Sequence, residues 1–174
     1  MKRVAIYCSL LFLSVQLVWA DRAPSLLDFT ALDIGSGEAF RLSDRVFKAP
    51  QPSLVLFFEP NCSWCFKQAK VFDQLAAACP QLTIFGLGVN GSRIALQKEA
   101  WRLRVAFPLW MASQSMLAST GSIKSTPLSL LLDDAGEIVF SAKGYMDAAR
   151  WRDELTKQGI TLERQRAVAD CQII

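Results

Sequence analysis

Apolar residues fall along this chain in two rhythms, and their alternation predicts most of the elements. Ser53 to Phe58 (S-L-V-L-F-F) is a continuous apolar run of strand length without polar alternation, the pattern of a strand covered on both faces in a parallel sheet. Pro60 stops it. A helical period then starts near Cys62. Cys65, Ala69, Phe72, Leu75 or Ala76, and Cys79 share one stripe, with Lys67, Lys70 and Gln74 turned away, until Pro80 ends the helix. Leu82 to Val89 is a second strand of the buried kind. Strand, helix and strand in this order predict a right-handed βαβ unit with its two strands parallel.

The flanking segments carry weaker signals. Leu26 to Ile34 is an apolar-rich extended segment that ends at the turn Gly35-Ser36-Gly37, and Ala39 to Leu42 resumes as a short strand or turn. Ala49-Pro50-Gln51-Pro52 is a loop, because each proline lacks a donor and restricts its predecessor. After Asn90-Gly91-Ser92, Arg93 to Val105 is helical, with Ile94, Ala95, Trp101 and Leu103 among its apolar positions. Phe107 to Met111 is a short apolar run, and Ser113 to Ser119 makes one or two helical turns. Leu128 to Leu132 and Glu137 to Ala142 read as strands joined through Asp133-Asp134-Ala135-Gly136, where glycine supplies a positive φ. Asp147 caps a last helix that runs to about Gln158, with Gly159 just past its end. The order (β)-β-α-β-α-β-β-α predicts an α/β fold: a mixed β-sheet flanked by helices on both faces. No internal repeat or low-complexity linker interrupts it.

Ahead of these elements, Lys2 and Arg3 precede a nearly continuous apolar run, Val4 to Val18, and Val18-Trp19-Ala20 offers residues that a signal peptidase accepts. This is the three-part pattern of a secretory signal peptide. Residues 1–20 are therefore expected to be removed, leaving residues 21–174 as a single domain that starts at Asp21. The rival reading is an uncleaved anchor. The apolar segment carries Ser9, Ser14 and Gln16 and sits at the short limit of about 17–25 residues for a spanning helix. The expected location is periplasmic or otherwise exported, with a membrane-anchored form facing the periplasm as the alternative. Losing Lys2 and Arg3 lowers 19 basic residues to 17 against 16 acids, so the mature net charge is about +1. No basic block survives, and nucleic-acid binding has little electrostatic support.

The chain has no histidine, which removes Cys-His and Ser-His catalysis and every histidine-containing metal site. Cys8 leaves with the signal segment, and Cys62, Cys65, Cys79 and Cys171 remain. An even number in an exported chain points to disulfide chemistry. A Cys-x-x-Cys at the first turn of a helix has a physical purpose: unpaired N–H groups and the positive end of the helix dipole stabilise a thiolate on the first cysteine. Cys62 is thus the expected nucleophile, and Cys65, on the buried stripe, the resolving thiol. Half of a zinc site is the first alternative, but Cys79 lies 14 residues beyond Cys65 on the same helix, roughly 21 Å away at 1.5 Å per residue. A purely structural Cys62–Cys65 bridge is the second.

The run Leu54-Val55-Leu56-Phe57-Phe58 followed by Cys62-Ser63-Trp64-Cys65 resembles the strand and active-site turn of the thioredoxin superfamily. Downstream, Ser125-Thr126-Pro127 followed by Leu128 to Val139 resembles its cis-proline loop and β-hairpin. The N-terminal extension and the inserted helix are similar to the exported TlpA/ResA/DsbE branch. The resemblance covers about Pro24 to Leu155. It implies a thioredoxin-like fold, a cis bond before Pro127 beside the cysteines, and a substrate surface that includes Thr126 and Trp64. Threonine before that proline is similar to several bacterial disulfide isomerases.

The chain also departs from the pattern. Asn61 stands where the branch commonly has tryptophan, and Leu56 where thioredoxin has a buried acid. Glu59 is then the candidate for proton transfer, against its reading as an exposed loop carboxylate. Lys67 is a solvated surface lysine or a support for the thiolate. In a thioredoxin-like arrangement the active-site helix and the last helix share one side of the sheet, so the tail can return Cys171 to Cys79 in a structural disulfide. A free Cys171 linking two chains is the rival.

The resulting expectation is a thiol–disulfide oxidoreductase that needs no cofactor or metal. Its partners would be cysteine-containing exported proteins and a redox partner protein, in the reductase or isomerase direction. A thioredoxin-like binding or chaperone module with a structural Cys62–Cys65 bridge is the alternative. A metal carrier holding its ion by thiolates alone comes third.

Overall fold

The two apolar runs are the two central strands of one sheet. In the computed structural model, which describes residues 25–46, 51–119, 121 and 123–158, the strands are β1 (Thr30–Asp33), β2 (Ala39–Arg41), β3 (Ser53–Phe58), β4 (Thr83–Gly88), β5 (Leu109–Ala112), β6 (Leu128–Leu132) and β7 (Ile138–Lys143). The helices are α1 (Leu42–Val46), α2 (Ser63–Ala78), α3 (Arg93–Leu103), α4 (Gln114–Ser119) and α5 (Ala148–Lys157). The expected signal segment, Gly159 and Cys171 lie outside the described residues.

The seven strands lie in the order β2-β1-β5-β4-β3-β6-β7. β3 runs parallel to β4, with Leu54 opposite Ile84 and Phe58 opposite Gly88, and β4 runs parallel to β5. β6 is antiparallel to β3 and forms a hairpin with β7. Every residue of β3 is buried, which explains its lack of alternation. Leu54, Leu56 and Phe58 join a core layer with Cys65, Ala69 and Phe72 of α2, Leu96 and Leu103 of α3, and Trp151 and Leu155 of α5. Val55 and Phe57 face the opposite layer with Leu42 and Val46 of α1 and Met116 of α4. Trp151 locks α5 to α2 and the sheet: its ring meets Phe72 edge-on at 5.3 Å and Phe140 at 5.7 Å. Two helices that share one side of the sheet are thereby pinned together.

Glycine sets how closely α3 approaches. A Cβ on Gly88 would lie 2.6 Å from Leu96 Cδ2, so the bare backbone of β4 is what lets Leu96 bury completely.

The structure differs from the sequence expectation at the edges. Leu26–Asp28 forms a 3-10 turn instead of extended chain, because the Ser25 hydroxyl accepts the Leu27 N–H while the Asp28 carboxylate accepts the Ser25 N–H. The helix α1 was not anticipated; it is a single turn that buries Leu42 and Val46. The run 107–111 becomes β5, a true sheet strand, and its antiparallel pairing with β1 carries the sheet on to β2. α3 stops at Leu103, not Val105, because Arg104 takes a left-handed conformation (φ 46°, ψ 61°). Two side chains of α2 hold that stop: Lys70 donates to the Arg104 carbonyl at 2.8 Å, and the Asp73 carboxylate accepts the Ala106 N–H at 2.7 Å.

Candidate active site

The chain leaves β3 through Glu59-Pro60-Asn61, and Asn61 turns it with φ 60°, a region asparagine enters more readily than most residues. Cys62 follows as the N-cap of α2 in extended conformation (φ −85°, ψ 105°), and its sulfur accepts the Cys65 N–H at 3.1 Å. The Cys65 amide in the first turn of α2 therefore points at the Cys62 sulfur. Cys62 and Cys65 are joined in a disulfide with their Cα atoms 5.2 Å apart. Cys65 is fully buried in the core stripe, whereas Cys62 is half-buried. The pair thus has an accessible and an inaccessible member.

The start of β6 supplies the opposing wall. The Thr126–Pro127 peptide is cis, and the Thr126 hydroxyl lies 3.6 Å from the Cys62 sulfur. Pro127 is buried, and its carbonyl accepts the Gly144 N–H at 2.8 Å, which ties the loop to the end of β7. Trp64 is 55% exposed, with the Tyr145 ring 5.9 Å from its own and Lys67 Nζ 4.2 Å from its centroid. Together they form an aromatic and cationic surface beside the disulfide. Glu59 accepts a hydrogen bond from Asn90 Nδ2 at 2.9 Å, and the same amide reaches the Ile123 carbonyl at 3.3 Å. Glu59 thus bridges the turn after β3 to the loop after β4. Cys79, at the far end of α2, is buried and itself in a disulfide whose partner lies outside the described residues.

Three features of the site were not singled out from the sequence. Tyr145 is one. The second is Gln68, fully buried, whose side-chain oxygen accepts the Met146 N–H at 2.8 Å. The third is a pair on α3. Glu99 is only 3% exposed, accepts the Asn61 N–H at 3.2 Å, and receives two hydrogen bonds from the Arg102 guanidinium. Arg102 Nη2 also donates to the Cys62 carbonyl at 3.1 Å. Its hydrogen bonds to Glu99, and then the charge of Glu99, hold the guanidinium pKa above its ordinary value against the opposing effect of burial. The sequence signal was present as an (i, i+3) pair of opposite charge, but it is indistinguishable there from a solvated helix face.

No family model matches the chain, and no curated protein matches its sequence. Solved structures do. A secreted Mycobacterium tuberculosis disulfide oxidoreductase homologous to E. coli DsbE superposes with a TM-score of 0.63 at 21% identity, covering 78% of this chain and 99% of that one. A thiol:disulfide interchange protein of the thioredoxin family from Chlorobium tepidum gives 0.60 at 21% identity, covering 81% and 99%. StoA from Bacillus subtilis gives 0.56 at 19% identity, covering 75% and 98%. The fold is therefore the thioredoxin-like fold of these proteins. Among the described residues no helix is long and apolar enough to cross a membrane.

Proposed function

We propose that this protein is a thiol–disulfide oxidoreductase that exchanges disulfides with exported proteins through Cys62 and Cys65. The carrying observation is the half-buried Cys62 sulfur at the N-terminus of α2, bonded to buried Cys65 and faced by Thr126 and cis Pro127. In the reducing direction the Cys62 thiolate attacks one sulfur of a substrate disulfide, forming a mixed disulfide and expelling a substrate thiolate that takes up a proton. Cys65, losing its proton, then attacks the Cys62 sulfur and expels the second substrate thiol. Two electrons and two protons leave the dithiol, and the product is the disulfide seen here. The first-turn amides of α2 favour the thiolate of Cys62. Burial of Cys65 reserves it for resolution. Trp64 and Thr126 flank the sulfur and would contact the bound polypeptide, which an edge of Pro127 would help orient.

The reading extends to direction, location and the second disulfide. We assign the protein to the reductase or isomerase side, with a redox partner protein restoring its dithiol. We place it outside the cytoplasm after cleavage before Asp21, and Cys79 with Cys171 in a structural bridge. Two of the structural neighbours are named as a disulfide oxidoreductase, which is secreted, and a thiol:disulfide interchange protein, and this supports the activity and the compartment.

Insulin reduction and scrambled-ribonuclease refolding are the test. The wild-type protein should catalyse at least one of them, and Cys62→Ala should abolish it. Unchanged activity in Cys62→Ala removes the pair from the mechanism and leaves a binding module with a structural bridge. The reduction potential against glutathione assigns direction, and non-reducing peptide mapping of the exported protein checks Cys79–Cys171. A Cys171-linked dimer would refute that pairing.

A further inference from the structure

Among the described residues, one charged side chain hydrogen-bonds to the backbone of the Cys62–Cys65 pair, and it comes from the inserted helix. Arg102 Nη2 reaches the Cys62 carbonyl at 3.1 Å, while Glu99, which anchors the guanidinium, takes the N–H of the preceding residue, Asn61, at 3.2 Å. The two side chains bracket the left-handed turn that presents the sulfur. Both of these backbone groups lie outside a strand ladder: Asn61 sits at positive φ, and the Cys62 carbonyl already receives the Phe66 N–H at 3.2 Å. The guanidinium also rests 5.3 Å from the Phe66 ring centroid on α2. Other charges nearby are otherwise engaged or more remote along the chain. Glu59 is bound to Asn90, Lys67 lies over Trp64, Lys70 is bound to the Arg104 carbonyl, and Lys124 precedes Thr126 by two residues.

We propose that Glu99 and Arg102 are the positioning residues that hold the Cys62 turn and set the redox poise of the Cys62–Cys65 couple. The inference deepens the proposed function and rests on it for its biological meaning. Reduction of the pair by glutathione converts two glutathione thiols to one glutathione disulfide and the protein disulfide to two thiols. Arg102 places a permanent cation on the residue that carries the resulting thiolate, so it favours the reduced form. Glu99 opposes this with its charge, and it supports the geometry by anchoring the guanidinium. Removing the cation and removing the anion must therefore move the equilibrium in opposite directions. A purely architectural clamp would move both variants the same way, since either substitution loosens the same turn.

The experiment is the equilibrium constant for reduction by glutathione at pH 7, measured on the oxidised protein with its thermal melting curve recorded alongside. Arg102→Gln should lower the constant by about three- to tenfold, which is about 15–30 mV toward a more reducing couple at 29.6 mV per tenfold. Arg102→Lys, which keeps the cation, should stay within twofold of wild type. Glu99→Gln should raise the constant by at least twofold. A constant within twofold of wild type for Arg102→Gln, or shifts of the same sign in the two Gln variants, overturns the proposal. Arg102→Gln strands a buried carboxylate and is the variant at risk of not folding. In that case Glu99→Gln, which leaves only a partly exposed cation unpaired, decides alone: a rise supports the proposal, and no change or a fall overturns it. The measurement needs no protein substrate, so failure of the insulin assay would sink the proposed function without touching this result.

Discussion

The contact between Gly88 and Leu96 gives a sharp test of how α3 is seated. A Cβ added at Gly88 would lie 2.6, 3.1 and 3.2 Å from Cδ2, Cδ1 and Cγ of Leu96, whereas carbon atoms pack at about 3.5–4.0 Å. Because Cγ is also too close, swinging a methyl group does not clear the clash. Leu96 must change rotamer inside a filled core, or α3 must lift from the sheet. Overpacking of this kind costs about 1–3 kcal/mol, offset by about 0.5–1 kcal/mol from replacing glycine within a strand. Leu96→Ala alone should cost about 2–5 kcal/mol, since Leu96 is fully buried. In the Leu96→Ala background the clashing atoms are gone, and the new methyl partly fills the cavity. The double variant should therefore fall short of the sum of the singles by at least about 1 kcal/mol. Urea unfolding of the oxidised protein measures all three, each against its own folded baseline. Additivity within about 0.5 kcal/mol, the behaviour of sites that do not touch, would refute the reasoning.

Three further outcomes are expected. Asp147 caps α5 by accepting the Arg150 N–H at 2.9 Å, so Asp147→Ala should lower stability by about 1 kcal/mol in urea unfolding. The Ser129 hydroxyl is buried in β6 without a hydrogen-bond partner among the described residues. Ser129→Ala should then be neutral or stabilising by up to about 1 kcal/mol, and a loss above that would show that the hydroxyl is satisfied. The Asp33 carboxyl is held below its ordinary pKa, first by the Ser36 N–H; desolvation by burial is the next effect and opposes it, and the Ser36 hydroxyl, the Gly35 N–H and Arg45 lower it further. A lowered folded-state pKa contributes stability that is complete above the unfolded value, about 3.9, and is lost as pH falls through the folded value. The stability gap between wild type and Asp33→Asn should hold from pH 7 to about 5 and close in more acid solution; a gap unchanged down to pH 2 contradicts the linkage. The group is about a third exposed, so the gap itself is small.

What could be read in advance follows the distance over which each residue's role is decided. β3 and α2 carry long stretches of uniform burial, and their two periods meet at Pro60, so the strand, the turn and the position of Cys62 at a helix start were legible locally. β1, β2 and β5 are three or four residues long. What makes them strands is pairing with partners far along the chain, as Leu32 pairs with Met111, and no local period records that. Glu99 is the clearest case. In the sequence it is one charge on a polar helix, and the apolar positions Ile94 and Trp101 look better suited to burial. In the structure Ile94 and Trp101 are 63% and 78% exposed, while Glu99 is 3% exposed. The reversal has a cause outside α3. The left-handed turn at Asn61 leaves a part-buried N–H without a ladder partner, and the Glu99 carboxylate accepts it at 3.2 Å. Leu56, on β3, provides no charge near Cys62. The nearest acceptor and its counter-cation arrive from α3, whose seat is set by the bare backbone of Gly88. The ion pair held against the Cys62 turn thus depends on a glycine in one strand and on a helix that neither motif contains. That is why the cysteine pair was readable and its electrostatic setting was not.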